Sequence, residues 1–192
     1  MPLKVVTART LQPFSLAEAK EHLRVIDGDD DFYIQWLIER VATIAEQITR
    51  RSLYTTTWKL IDDCFPTREI FLPNPPLQSV THIKYYDFNE VQRTIDSSEY
   101  QVDIISEPGR VVPAPSLTWP QTAPGRINSV EIQFVTGWER RHEIPDALKQ
   151  AMLYHLSYAY DVREPMVAGM GSTELPMNLM AMYSLQRVLR FF

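Results

Sequence analysis

The chain has 192 residues, a formal net charge of −5, and 45% hydrophobic residues, which is enough for one large domain, or for a body with one insertion, built around a real core. Its single cysteine, Cys64, excludes a disulfide within the chain and a metal site built from cysteines, and it suits a reducing compartment. The acidic balance argues against a general grip on nucleic acid, which calls for a basic face, while fourteen prolines against six glycines predict stiff connections.

The N-terminal run MPLKVVTARTLQPF lacks the long apolar stretch and small-residue cleavage site of a secretion signal, and no window nears eighteen uninterrupted apolar residues. Neither export nor a membrane span is expected. The first helix signal is SLAEAKEHLRV. Ser15 is a good N-cap, and Glu18 three residues later completes a capping box. Leu16, Ala19, Leu23 and Ile26 can share a face. The acidic turn DGDDD follows, with Asp29 or Asp30 as the next cap. In DFYIQWLIERVATIAEQITRRS, Ile34, Leu37, Ile38, Val41, Ile44, Ala45 and Ile48 recur at steps of three and four, which predicts a long amphipathic helix. Aspartates open it, and Arg50 and Arg51 close it, as the helix dipole favours.

From Tyr54 to about Trp138 the pattern becomes strands and turns. YTTTWKLIDDCF is rich in β-branched and aromatic residues, with Cys64 expected as a small strand residue. EIFLP is a short strand closed by Pro73. LPNPPLQSVTHIKYYD puts three prolines in front of an alternating run. Val80, Ile83 and Tyr85 do not share one row, which predicts a bulge or a change of face. YQVDII and RVVP flank the turn SEPGR. SVEIQFVTGW alternates cleanly, with Val130, Ile132 and Phe134 on one face, until Gly137. Helix returns in IPDALKQAMLYHLSYAYDVRE, where Leu148, Ala151, Met152, His155, Leu156 and Ala159 make a stripe and Pro145 sits at its start. PMVAGMGSTELP reads as a loop. MNLMAMYSLQRVLRFF reads as a last helix carrying Met182, Leu185, Leu189 and Phe192 on one side, beside Arg187 and Arg190. No internal repeat is present.

The fold class is therefore α+β: a small antiparallel helical core of about four helices, interrupted by a β-rich insertion. The divisions are residues 1–53 and 141–192 for the helical parts and 54–140 for the insertion. The proline corner is expected to fix the orientation of the insertion relative to the helical body.

Chemistry-bearing constellations fail on spacing. His22, His82, His142 and His155 lie on separate elements with no ligand spacing, and surface or half-buried positions are expected. HEIPD opens like a zinc-protease helix, but Asp146 stands where the second histidine is needed. Asp27, Asp29 and Asp31 imitate a calcium loop, yet its sixth and twelfth positions hold Phe32 and Ile38 instead of glycine and glutamate. GMGSTE is neither a nucleophile elbow nor a phosphate loop. Asp62 and Asp63 are adjacent and would face opposite sides of a strand. Read as a helix-turn-helix, the first two helices would bring Glu39 and Glu46 towards phosphates. No cofactor, metal or catalytic residue is expected. What remains is contact surface: Tyr33, Trp36, Tyr85, Tyr86, Trp119, Trp138, Tyr154 and Tyr158 exceed what the core needs, and aromatics and arginines favour interface centres.

Five pieces in order, PFSLAEAKEHLRV with its acidic turn and long helix, LPNPPLQSVTHIKYYD, EPGRV, VEIQFVTGW and IPDALKQAMLYHLSYAYDVRE, give the chain a resemblance to the head–tail connector (adaptor) proteins of tailed bacteriophages and related gene-transfer particles, in particular the larger members with a β insertion. The resemblance implies a structural virion protein with no enzyme activity. It implies a homo-oligomeric ring of about twelve copies under the portal of the filled head, which extends the DNA channel and joins the stopper or tail-completion protein. Double-stranded DNA would pass transiently through the lumen. The protein would reside in the virion neck after assembly in the host bacterial cytoplasm, with no membrane partner. The C-terminal segment would dock on the portal, which assigns portal binding to Met182, Leu185, Arg187, Leu189, Arg190, Phe191 and Phe192. The ending YSLQRVLRFF departs from the leucine-leucine-x-proline-tyrosine-arginine type of ending associated with close relatives. The alternative reading is a DNA-binding or DNA-packaging accessory factor of a phage, and a third is a hydrolase with a mostly β active site.

Overall fold

The structure is a computed structural model that describes residues 2–162 and 175–189. The order of elements is β1 (Leu3–Thr7), α1 (Leu16–Leu23), α2 (Asp31–Thr49), β2 (Thr56–Asp62), β3 (Ile70–Leu72), β4 (Leu77–Tyr86), β5 (Gln92–Thr94), β6 (Tyr100–Asp103), β7 (Gly109–Pro113), β8 (Val130–Thr136), α3 (Asp146–Asp161) and α4 (Met177–Ser184). The α+β class follows directly, with four α-helices among the described residues and wholly antiparallel strand pairing within both sheets. The chain divides into two compact units. One holds Met1–Thr10 and Tyr54–Trp138, the other Leu11–Leu53 and Glu139–Leu189.

In the β unit a five-stranded sheet runs in the order β1-β2-β8-β4-β5, and a three-stranded sheet in the order β3-β7-β6. β8 lies at the centre of the larger sheet because its alternation is strict: Val130, Ile132, Phe134 and Thr136 are buried, and the residues between them half-buried. Leu60, Leu77, Ile83, Ile132 and Phe134 from the larger sheet share one core with Ile70, Leu72 and Val111 from the smaller. β4 shifts register against β8 twice, between Leu77 and Ser79 and between Val80 and His82. These irregularities are why Val80 and Ile83 do not fall in one row. The N-terminal run, grouped by sequence with the helical part, instead forms the edge strand β1, which pairs with β2 from Leu3↔Leu60 to Thr7↔Thr57. Five residues with little burial carry almost no pattern of their own, and pairing with β2 decides their state. Cys64 is also placed differently from expectation. It lies exposed in a bend just after β2, because the strand ends at Asp62.

The proline corner lies wholly inside the β unit, between β3 in the small sheet and β4 in the large one. Leu72 before it and Leu77 after it both enter the core. Asn74 has φ 61°, and the Pro75–Pro76 bond is cis. The corner is thus a device for changing sheets. Its other contacts reach the places where the chain enters and leaves the unit. Pro76 O accepts from the Gly137 amide at 2.8 Å, and the Gln78 side-chain amide donates to Gly137 O at 2.7 Å and Thr55 Oγ1 at 3.0 Å. Tyr54 and Trp138 bridge beside them. Gly137 has φ 101°, and a Cβ there would lie 2.1 Å from Tyr54 O, so only glycine permits this approach. At Gly109, a Cβ would meet the Leu77 Cβ at 2.6 Å. The turn EPGRV therefore supplies the close contact between β7 and the start of β4.

In the helical unit, α2 packs against α1, α3 and α4. Its inner stripe is Ile34, Leu37, Ile38, Val41, Ala42, Ala45 and Thr49, while Ile44 and Ile48 are half-buried. α3 buries Leu148, Ala151, Met152, His155 and Leu156. α1 buries Ala19 and begins with the capping box: the Glu18 amide donates to Ser15 Oγ and the Ser15 amide to Glu18 Oε2. Ile26, expected on the α1 face, lies beyond the helix and is fully exposed.

Candidate interaction surfaces

The histidines are dispersed, each with a local explanation. His22 and His142 are exposed. His82 joins a cross-strand ladder, in which Glu131 Oε1 on β8 lies 2.9 Å from Lys59 Nζ on β2 and 3.3 Å from His82 Nε2 on β4. Partial burial raises the Glu131 pKa, but hydrogen bonds from Lys59 and His82 outweigh it and hold the carboxyl below its ordinary range. His155 is buried, against the surface or half-buried position expected, because it falls on the inner stripe of α3. Its Nδ1 meets Tyr183 Oη of α4 at 3.0 Å. Desolvation, with a contribution from the Arg40 charge, lowers its pKa to about 4, so the imidazole is neutral. Burial likewise pushes the Tyr183 phenol up. Among the described residues no group of three or more His, Cys, Asp or Glu is placed to hold a metal. The acidic turn is held by neighbouring helices, with Lys20 Nζ of α1 donating to the Asp27 carbonyl and Asp31 Oδ1, and Tyr160 Oη of α3 donating to Asp30 Oδ2.

The segment expected to bind a portal begins as α4, but the helix ends at Ser184, whose Oγ donates to Met180 O. The sequence pattern predicts helix through Phe192, and among the described residues 185–189 fall beyond α4. From there the chain is drawn alongside the C-terminus of α2: the Val188 amide donates to Thr49 O at 2.9 Å, and Arg51 Nε to Gln186 O at 2.8 Å. Val188 is buried, Met182 half-buried, and Leu185, Arg187 and Leu189 are exposed. Arg190, Phe191 and Phe192 lie outside the described residues, as does most of the 165–176 loop.

Of the eight aromatics singled out in the sequence, only Trp36 and Tyr154 are exposed. Trp119, for example, stacks on Phe65 at 5.0 Å and donates its indole N–H to Arg68 O. The bare apolar side chains are others. Phe32 is 86% exposed and Ile105 91%, with Phe88 and Ile127 also outward. Phe32 falls off the inner stripe of α2, so its exposure could have been read from the 3.6-residue period. Ile104 and Ile105 sit on the β6–β7 turn, which Asp103 locks by accepting from the Ile105 amide, the Ser106 amide and hydroxyl, and Arg110 Nε. The Ser106 hydroxyl leads the groups that hold the Asp103 carboxyl well below the usual range. Phe88 and Ile127 flank a second organised tip, where the Arg126 guanidinium lies 3.6 Å over the Tyr86 ring. These are rigid surfaces with apolar points, an arrangement suited to contact with other proteins.

Residues 14–108 match the phage gp6-like head-tail connector protein family. Among solved structures, the chain is similar to one from the neck of an empty GTA particle computed with C6 symmetry. The TM-score is 0.79 and the identity 22%, covering 100% of this chain and 98% of that one. It is also similar to a chain from the virion of a native gene transfer agent particle (TM-score 0.76, 21% identity) and to one from the neck of a native GTA particle computed with C12 symmetry (TM-score 0.69, 23% identity), each with the same coverage. No curated protein sequence matches the chain.

Proposed function

We propose, from the match of residues 14–108 to the phage gp6-like head-tail connector protein family, that the chain is a structural subunit of a virion neck, assembling with copies of itself into a ring that joins a filled head to the next component of the tail. The observation that carries the reading is likeness along the whole chain, insertion included, to chains from GTA neck structures. In this reading the ring continues the DNA channel, and the net charge of −5 serves passage, since tight phosphate binding would slow it. The end of the chain, from Leu189 through Phe192, contacts the portal, and the stopper or tail-completion protein meets the opposite side. The protein performs no catalysis. The DNA-binding alternative has no comparable support.

Deleting the gene and imaging the lysate by electron microscopy tests the reading. Free tails of normal appearance beside tailless or leaking heads are expected. Intact infectious particles would remove the protein from the neck.

A further inference from the structure

The two ends of α2 carry unlike surfaces. At its N-terminal end Phe32 and, in the preceding turn, Ile26 (96%) are almost wholly exposed. Trp36, one turn on, is 48% exposed with Arg40 over its ring. Asp27 and Asp29 flank these side chains in sequence, and their carboxylates form no ion pair among the described residues, Lys20 being taken by Asp31. The C-terminal end lies about 28 Å away along a helix of this length. There the bonds from Val188 to Thr49 and from Arg51 to Gln186 bring Leu185, 84% exposed, and Arg187 to the same end as Arg50. Neither Arg50 nor Arg187 forms an ion pair among the described residues.

We infer that neighbouring copies join head to tail through these ends, with the Ile26–Phe32–Trp36 surface and its aspartates of one copy seated on the Leu185 surface and its arginines of the next. Charge complementarity selects the occupant. Two acidic ends, or two basic ends, facing one another across a twofold axis would repel. An acidic end against a basic end attracts, and it surrounds aromatic and leucine side chains that water otherwise covers. Because the two patches are separate, one copy uses both at once. A contact of that kind repeats, and closes into a ring when the rotation allows. Leu185 and Arg187 are thereby assigned to the neighbouring copy, and only the end of the chain to a portal. The inference rests on the ring reading of the proposed function.

The test complements the gene deletion with full-length variants. Reversing the acidic end (D27K with D29K) or the basic end (R50E with R187E) should each lower the yield of tailed particles about tenfold or more, and combining the four changes should restore most of it. In a C64S background, purified particles carrying Q35C and S184C should give a ladder of chain multimers with a short bis-maleimide, while either cysteine alone should stop at the dimer. Single-end reversals that assemble like the parent, a combined variant that stays defective, or particles that contain the chain without a ladder would overturn the head-to-tail contact and leave the neck reading standing. Parent particles that lack the chain would overturn the neck reading and this contact with it.

Discussion

His155 shows how one side chain ties the helical unit to pH. Buried on α3 and paired with the Tyr183 hydroxyl, it has a pKa lowered from 6.5 to about 4, first by desolvation. A depressed folded pKa means that the unfolded chain takes up a proton that the folded one refuses. Its contribution to stability is therefore complete above pH 6.5, falls as the pH drops from 6.5 to about 4, and levels off below. Urea unfolding across that range should show the parent losing stability relative to His155→Gln, with the difference confined to that window. Gly137 is a constraint of a different kind. With φ 101° and a would-be Cβ 2.1 Å from Tyr54 O, Gly137→Ala should cost roughly 2 kcal/mol or more, seen as a lower thermal midpoint, whereas Gly28→Ala, where the nearest atom to a Cβ is 3.7 Å away, should cost far less.

At the scale of elements, α1 depends on its cap. It has eight residues and one fully buried side chain, Ala19, so intrinsic helix stability and packing are both modest. The Ser15–Glu18 box satisfies amides that would otherwise lack partners, and Ser15 bonding holds the Glu18 carboxyl below its ordinary range. Ser15→Ala should cost about 1 kcal/mol and speed amide hydrogen exchange in Leu16–Lys20 more than in α2. The cap, the α2 and α3 stripes and the β8 alternation were all readable beforehand, because each depends on spacing within one element. β1 was not, since its hydrogen bonds go to β2, some fifty residues away. Nor was the early end of α4, because the partner of Val188 is the Thr49 carbonyl of another helix.

For the whole molecule, a neck subunit should leave DNA alone and hold its protein neighbours. With a net charge of −5, the purified protein should show no tight binding to duplex DNA at physiological salt, as measured by fluorescence anisotropy. A low-micromolar, salt-dependent isotherm would favour the packaging-factor reading. Removing residues 190–192 should leave the thermal midpoint nearly unchanged, because Val188 anchors the segment before them. It should also sharply reduce incorporation into heads, read by mass spectrometry of purified particles. An unaltered copy number would free those residues from the portal role. Of the contact surface, the sequence disclosed that some of its large aromatics fall outside the core, and Trp36 and Tyr154 do, but it did not disclose the barest apolar side chains. Most of the tyrosines and tryptophans are half-buried, while Phe32, Phe88, Ile105 and Ile127 face solvent.

Sequence alone determined the order of helical and β-rich parts after the N-terminal run, the helix cap, and the core faces of α2, α3 and β8. All of these are local properties, set by periods of 3.6 and 2 residues and by side chains a few positions apart. Only the tertiary structure decided that the N-terminus completes the large sheet and that the proline corner carries the chain between sheets while holding Gly137. It also decided that His155 is buried against Tyr183 and that Leu185 and Arg187 lie at the basic end of α2. Each of these depends on partners far away in sequence, and a partner's position is fixed by packing, which no local pattern encodes.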